Sequence, residues 1–395
     1  MSEPEPSAPA LVADAESPDS PLLADAAASW VSAYVHVPFC RAVCPYCDFA
    51  VVAGRESAFD RYVDAVVAEI ERAEPFGRPL DAIHVGGGTP TALPPAAIGR
   101  ILEAVAERLG LVADAEVAVE ANPEDVDPAT ARALADSGVT RLSLGVQSFD
   151  PAVLAALGRT HTPDGARAAI DAALDAVGSV SVDLIFGTPG ETPASWEASV
   201  EAALERGIHH LSTYALTVEP GTPLSRSVAD GAPAPDGDDQ ADKWEIASDR
   251  AGAAGLARYE TSNHARPGHH SRYNLSTWGR AEYHGMGVAA HRHVAGERSW
   301  NVRRLDGYLE RVESGGDPTM GSERLDAGEG EIERVLLGVR RTAGVEPGGS
   351  GAALRASDWG RRLVDAGVIT GEGRLVVLRP LLGDEVARAL LALSG

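Results

Sequence analysis

The chain alternates between two hydrophobic patterns from residue 34 to about residue 217. Short, mostly apolar runs predict buried strands, and amphipathic stretches between them predict helices. The predicted strands are Tyr34–Phe39, Ala82–Gly87, Glu116–Ala121, Arg141–Gln147, Ser179–Phe186 and His210–Thr217. The predicted helices are Phe59–Glu74, Pro95–Leu109, Pro128–Ser137, Asp164–Val177 and Trp196–Arg206. The expected helix N-caps are Asp127, Asp150, Thr162 and Ser195.

This alternation predicts an α/β fold with parallel strands inside and helices outside. Six such units suit a partial, TIM-like (β/α)6 barrel rather than a closed eight-stranded one. Residues 326–395 have a different pattern, because two helices are followed by a strand pair around Gly371–Gly373 and by a terminal helix. That outline is typical of a small winged-helix-like α/β domain.

Four segments follow from these patterns. Residues 1–30 form an acidic tail rich in Pro and Ala, which we expect to be disordered. Residues 31–260 form the barrel, and residues 261–325 form a connecting region rich in His, Tyr and Trp. Residues 326–395 form the C-terminal domain.

Polar residues follow several of the predicted strands. Gly86–Thr89 follow the second strand, and the other strand-end residues are Glu120, Asn122, Gln147, Asp183 and Tyr214. Since functional groups of such barrels lie at the C-terminal ends of the strands, these residues should meet on one face. Each alone has an ordinary explanation: the glycines as a tight turn, Glu120 and Asp183 as helix caps or ion pairs.

The formal charge of −24 argues against a surface that coats nucleic acid. The N-terminus lacks the basic and apolar regions of a signal peptide, and no apolar run approaches the ~20 residues that span a bilayer. Reduced cysteines fit the cytoplasm.

All three cysteines lie within eight positions, as Cys40, Cys44 and Cys47 in C-x3-C-x2-C spacing. Three thiolates at this spacing can ligate three irons of a [4Fe-4S] cluster and leave the fourth iron open for S-adenosylmethionine. A disulfide fits poorly because the count is odd and the spacings are tight. Zinc is the alternative, with His36 as the nearest further ligand, although His36 precedes the loop.

Seven strings of the sequence resemble the radical S-adenosylmethionine family. They match the branch that contains oxygen-independent coproporphyrinogen III oxidase and the HemW-type heme chaperones. The match runs from about residue 33 to the C-terminus, and the strings begin at Tyr34, Cys44, His84, Val119, Ser143, Val182 and Tyr259. Each string is weak alone, but seven in the right order are strong support.

The resemblance implies a role for each matching position. Cys40, Cys44 and Cys47 would hold the cluster. Tyr34 would lie beside the methionyl carboxylate, Tyr46 would pack on the adenine, and Gly87, Gly88 and Thr89 would offer backbone groups to the amine. Glu120, Gln147, Arg159 and Asp183 would hold charged and ribose groups of this cofactor or of a second bound copy, and Ala215 would make a backbone contact. Without the resemblance, Arg159 would be interpreted as a solvated charge, and His36 and His84 as barrel residues.

Two departures favour the heme-chaperone branch. Phe49 stands where the oxidases carry a fourth cysteine, and the N-terminal tail does not resemble their substrate-binding segment. The branch implies a protein that binds heme and passes it to an acceptor protein, with a one-electron donor for the cluster. The alternative is a radical enzyme of porphyrin metabolism, so the sequence leaves open whether the chain is an enzyme. Peripheral membrane association and a homodimer are also open.

One departure concerns the heme ligand. The chaperones typically carry a His-Asn-x-x-Tyr-Trp string, which here begins with Tyr273 and has Thr277 in place of its tyrosine. Heme iron accepts Tyr as well as His. Tyr273 is therefore one candidate ligand, and the nearby histidines are others: His264, His269, His270, His284, His291 and His293.

Overall fold

A computed structural model describes residues 20–393. Within them, twelve strands form one sheet in the order β14-β13-β12-β11-β1-β4-β5-β6-β7-β8-β10-β9, and β2 pairs with β3 apart from it. The strands are β1 Ser32–Val37, β2 Phe39–Cys40, β3 Val52–Ala53, β4 Leu80–Gly87, β5 Leu111–Ala121, β6 Arg141–Gln147, β7 Ser179–Phe186, β8 His210–Ala215, β9 Ala257–Arg258, β10 Asn263–Ala265, β11 Tyr283–Met286, β12 His291–Val294, β13 Glu297–Asn301 and β14 Thr319–Glu323.

The helices cover the outside of the barrel and form the C-terminal unit. They are α1 Pro21–Ala27, α2 Phe59–Arg72, α3 Pro95–Leu109, α4 Pro128–Asp136, α5 Pro151–Ala156, α6 Pro163–Leu174, α7 Pro193–Leu204, α8 Pro223–Ala229, α9 Gly237–Ala253, α10 Arg272–Trp278, α11 Leu305–Glu313, α12 Ala327–Gly338, α13 Gly348–Ala356, α14 Asp358–Asp365 and α15 Gly383–Leu391. Among the described residues, no helix is both long and apolar enough to cross a membrane.

The six predicted strands are present and parallel, in the order β1, β4, β5, β6, β7, β8. The expected partial (β/α)6 barrel is therefore confirmed. The region 261–325 adds strands at both edges of this sheet. On one side β10 pairs antiparallel with β8, and on the other β11 pairs parallel with β1.

Helix starts follow a recurring pattern of a capping side chain and then proline. Asp127, Asp150 and Thr162 accept hydrogen bonds from backbone N–H groups of the first turn, as predicted. The predicted cap Ser195 is wrong, because Thr192 is the N-cap of α7 and Ser195 is its partner in a capping box. Proline is favoured at the first helical position, and Pro193 after Thr192 is the signal that places this start.

The C-terminal helices have a core of their own, formed around Val335, Leu354, Leu363 and Val386. The predicted strand pair is reduced to one isolated bridge, which joins Ile369 to Val377, while Leu375 bridges to Val345. Helix α13 was not predicted, since its glycine-rich start has low helix propensity.

The tail expected over residues 1–30 includes a helix in its described part. Residues 1–19 lie outside the described residues. Residues Pro21–Ala27 form α1, whose Ala27 packs in a small cluster with Tyr259 and Leu275. The tail prediction is thus corrected from residue 20 onward, because these apolar side chains have a surface to pack on.

Candidate functional site

A cavity of about 440 Å³ opens at the C-terminal ends of the parallel strands. It lies on the face where the sequence places the polar strand ends. All of the predicted site residues except Tyr34 line it: Cys40, Cys44, Cys47, Tyr46, Gly87, Gly88, Thr89, Glu120, Gln147, Arg159, Asp183 and Ala215. We call it the cysteine cavity. The fold brings these distant segments together, and their binding roles stay predictions.

The cysteine loop begins at the end of β1. Its start is fixed by β2, where Phe39 pairs with Val52 and Cys40 with Ala53. All three thiols are free and half-buried. Burial raises the pKa of Cys40 to about 11 and also raises that of Cys47. Metal binding requires thiolates, so a cationic cluster would have to release these protons when it binds.

Side chains of two residues donate hydrogen bonds to the sulfurs of Cys40 and Cys44. The Thr89 hydroxyl donates to Cys40 Sγ at 3.6 Å, and Arg159 Nη1 donates to Cys44 Sγ at 3.8 Å. Asn122 joins the two donors: its Nδ2 donates to Thr89 Oγ1 at 3.2 Å, and its Oδ1 accepts from Arg159 Nη2 at 2.6 Å. Such donors stabilise negative charge on sulfur, which is what cluster ligands carry.

The glycine loop after β4 approaches the cysteine loop closely. A Cβ at Gly88 would lie 2.8 Å from the carbonyl oxygen of Phe39, and Gly87 has a φ of +110°. The three N–H groups of the loop are already used: Gly87 N donates to Glu120, Gly88 N to Val37 O and Thr89 N to Phe39 O. The loop can therefore offer a ligand's ammonium group only carbonyl oxygens, which are the acceptors that an amine needs.

Two carboxylates, on β5 and β7 with β6 between them, face the cavity in different protonation environments. Burial would raise the pKa of Glu120, but hydrogen bonds from His84 and from Gly87 N lower it overall. Burial raises the pKa of Asp183 to about 6, although the Ser143 hydroxyl donates to both of its oxygens. Asp183 can accept from ligand hydroxyls once it is ionised.

Gln147 adopts a left-handed backbone conformation at the end of β6, with a φ of +67°. A non-glycine residue in this region is uncommon and often marks a functional site. The pairing of β6 with β7 is irregular between Leu144 and Gln147. This irregularity presents Gln147 at the cavity wall.

Tyr34 lies one layer deeper in the barrel. Its ring stacks on His84 and on Tyr273, and its hydroxyl is 3.0 Å from His36 Nδ1. His84 in turn contacts Glu120 at 2.9 Å. Tyr34 thus supports the cavity through His84, and the predicted contact with a carboxylate remains a prediction.

The candidate heme ligands do not gather at the cysteine cavity. Tyr273 stacks on His84 inside the barrel, and burial raises its pKa, which opposes the phenolate that ferric iron binds. His269 and His270 lie at the opposite end of the barrel, where their carbonyls accept from Arg141 at the start of β6. The remaining histidines make hydrogen bonds elsewhere in the fold or, in one case, stack on Trp300: His264, His284, His293 and His291.

Sequence reasoning missed several residues of the cavity wall as site residues. Asn122, Ser143 and Tyr214 all line it. Asn122 and Tyr214 were visible as strand-end polar residues, and Ser143 lies two residues before Gly145 on the same face of β6. Their partners, however, come from other strands and become apparent only in the fold.

The donor set fits a cluster better than a single ion. Within the described residues, no group of three His, Cys, Asp or Glu side chains is placed to hold one metal ion. A [4Fe-4S] cluster takes one thiolate per iron, so its three ligands need not converge on one point. Thr89 and Arg159 donate hydrogen bonds to two of these sulfurs, as suits the ligands of such a cluster.

Comparison with known proteins shows the family of the chain. A model of the radical SAM superfamily matches residues 34–203. A protein of Mycobacterium tuberculosis named heme chaperone HemW is 40% identical over 379 residues, which cover 91% of this chain and 94% of the relative. This chain belongs to the HemW family of radical SAM proteins.

Other HemW relatives come from distant bacteria. The HemW of Bacillus subtilis is 35% identical and covers 80% of this chain and 84% of its own length, and that of Synechocystis is 38% identical with 80% and 79% covered. Among solved structures, the radical SAM enzyme coproporphyrinogen III oxidase of Escherichia coli superposes with a TM-score of 0.79 at 23% identity. The superposition covers 93% of this chain and 92% of the oxidase chain, which shows that the two proteins share a fold.

Proposed function

We propose that this chain is a heme chaperone that binds heme and passes it to an acceptor protein. It carries a [4Fe-4S] cluster on Cys40, Cys44 and Cys47 and an exchangeable S-adenosylmethionine at the open iron. The observation that carries the proposal is the convergence of the three thiols and the predicted cofactor residues on one cavity. The family membership supports the heme role, since the relatives carry the name heme chaperone.

The cavity offers a partner for each part of S-adenosylmethionine. Carbonyls of the Gly87–Gly88 loop suit its ammonium group, and Asp183 suits its ribose hydroxyls. Tyr46 packs with Ile185 and Leu216 in an apolar cluster that suits the adenine. When bound together, the cluster and S-adenosylmethionine supply one-electron, radical chemistry. Thr89 and Arg159 would hold the sulfurs, and the barrel wall would exclude water.

The chaperone function is favoured over the oxidase function because this chain lacks the fourth cysteine that the oxidases carry. Phe49 occupies it and is 66% exposed at the mouth of the cavity. We infer a cytoplasmic protein that takes electrons from a one-electron donor. Peripheral membrane contact and a homodimer are left to experiment.

The test is anaerobic reconstitution followed by heme titration at the Soret band, on the wild type and on Cys44→Ser. We expect saturable binding of one heme per chain by the wild type. We also expect no turnover of coproporphyrinogen III under reductant and S-adenosylmethionine, and loss of the cluster in Cys44→Ser. Release of carbon dioxide from coproporphyrinogen III would make the chain an oxidase. Absence of saturable heme binding would contradict the chaperone proposal.

A further inference from the structure

A second cavity lies between the barrel and the C-terminal helices and has a volume of about 690 Å³. Strand β8 and helix α9 form its barrel side, and α12 and α15 form the other side. Its volume lies within the range of small-molecule sites, about 300–1,000 Å³. We call it the interdomain cleft. Ala215 lines both this cleft and the cysteine cavity, so the two adjoin at the end of β8.

The walls of the interdomain cleft are largely apolar. Trp244 lies on the barrel side, and Leu336 and Leu337 lie on α12. At its edge, Leu381 is 45% exposed and Leu391 is 56% exposed. Large apolar side chains that remain exposed around a cavity indicate a binding surface rather than ordinary surface.

Arginines line the same cleft although the chain carries a net charge of −24. Arg258 lies over the Trp244 ring at 5.6 Å. Arg340 and Arg341 follow α12, and the Arg340 guanidinium lies 5.1 Å from the Trp278 ring, outside the lining of the cleft. Among the described residues of the lining, Asp384 is the one acidic side chain. A cleft lined by arginines is complementary to an anionic ligand.

Arg341 is the most buried of the three arginines. Its side chain is almost fully buried, at 5% exposure, and its Nε has no hydrogen-bond partner within residues 20–393. Its Nη1 donates to the Ala24 carbonyl at 2.7 Å. No carboxylate of the described chain lies within ion-pair distance of Arg340 or Arg341. A buried, unpaired donor costs free energy, and a carboxylate is the acceptor to which a guanidinium donates most strongly.

The lining also lacks the usual ligands of heme iron. Among the described residues that line the interdomain cleft, none is His, Cys, Met or Tyr. A ligand in this cleft would therefore be held by its apolar faces and its carboxylates. Since this protein would not ligate the heme iron, a residue of the acceptor protein could bind the iron before the chaperone releases the heme.

We propose that the interdomain cleft is where heme binds, through its porphyrin faces and propionate carboxylates rather than through its iron. This inference rests on the proposed function and adds the location and the manner of binding. It replaces the expectation that Tyr273 or a nearby histidine is the ligand. The position of Ala215 places the bound porphyrin next to the cysteine cavity, where the state of that site can affect its release.

The test is a titration of the full, reconstituted chain with hemin and with metal-free protoporphyrin IX. Two variants alter the interdomain cleft: Arg340→Glu reverses an exposed charge, and Ala387→Trp fills space from α15. Arg362→Glu is the matched control, because this exposed arginine lies on α14 and does not line the cleft. Iron content after reconstitution checks that each variant is folded.

We expect the wild type to bind both ligands with dissociation constants that agree within about threefold, since the iron contributes little. Arg340→Glu and Ala387→Trp should weaken binding by at least about tenfold, which is about 1.4 kcal/mol, and Arg362→Glu should bind as the wild type does. If hemin binds the wild type and both cleft variants equally, the location is wrong and the chaperone function stands. Binding of hemin without protoporphyrin overturns the iron-free manner of binding. If the wild type binds neither ligand, the proposed function fails as well.

Discussion

At the scale of single residues, the cysteine cavity depends on how Arg159 is held. Without the family resemblance, the sequence favours a solvated charge at this position. The fold instead places its guanidinium against Cys44, Asn122 and the Gly145 carbonyl. No local pattern could predict this, because the partners come from three other segments of the chain.

We expect Arg159→Gln to lower the reduction potential of the bound cluster by on the order of 60 mV, which is about tenfold in a one-electron equilibrium. The change removes a positive charge and a donor near a cluster ligand, so the more negative, reduced cluster loses stabilisation. A redox titration followed by electron paramagnetic resonance measures the shift. Arg132→Gln, at an exposed arginine of α4, is the control. An unchanged potential would mean that Arg159 does not act on the cluster.

Asp183 should give the apoprotein a characteristic pH dependence. Burial raises its pKa from 3.8 to about 6. Between these values the folded state keeps a proton that the unfolded state loses, so the free energy of unfolding falls as the pH rises. Asp183→Asn removes this effect. Relative to the wild type, it should gain stability from pH 4 to pH 7, by up to about 3 kcal/mol.

Urea denaturation at several pH values measures this difference. Asp127→Asn is a control of opposite sign, because a backbone hydrogen bond from Thr130 lowers the pKa of Asp127. That carboxylate therefore stabilises the folded state above its unfolded pKa, and the benefit is lost as the pH falls. A stability gap between wild type and Asp183→Asn that does not change with pH would contradict the buried environment of Asp183.

At the scale of elements, the sequence predicted the parts that repeat. Each of the six barrel strands was found because it is a short apolar run beside an amphipathic helix. The strand β11 was missed, since Tyr283–Met286 is short and contains a glycine. Its pairing with β1 depends on the whole sheet. Likewise, the start of α7 was misplaced by three residues because Ser195 and Thr192 are both acceptable caps.

The glycine loop should tolerate an added methyl group poorly. In Gly88→Ala, the new Cβ would meet backbone atoms of Pro38 and Phe39, which precede Cys40 directly. We expect a loss of about 1–3 kcal/mol in the free energy of unfolding and the loss of most of the bound iron. Thermal unfolding and iron analysis measure the two effects.

Gly252→Ala is the matched control for this change. Gly252 lies in α9, and a Cβ there would meet no other atom within 4 Å. Since alanine is the better helix former, this variant should be as stable as the wild type or up to about 1 kcal/mol more stable. If Gly88→Ala behaved in the same way, the close packing of the two loops would not matter for the site.

At the scale of the whole molecule, the sequence predicted which residues share the cysteine cavity but not where heme would bind. The cavity residues belong to motifs that follow the barrel strands, so the fold class alone brings them to one face. The histidines after residue 260 belong to no repeating unit. They end at separate places of the structure because β10 and β11 join opposite edges of the barrel sheet.

The central claim is that the cysteine cavity holds a cluster with one open iron. The most direct measurement is iron and sulfide analysis of the anaerobically reconstituted chain, with electron paramagnetic resonance of the reduced protein before and after adding S-adenosylmethionine. The account predicts four irons and four sulfides per chain, the content of one [4Fe-4S] cluster, and a changed spectrum when S-adenosylmethionine is added. One tightly bound zinc per chain, or a cluster whose spectrum S-adenosylmethionine leaves unchanged, would contradict it.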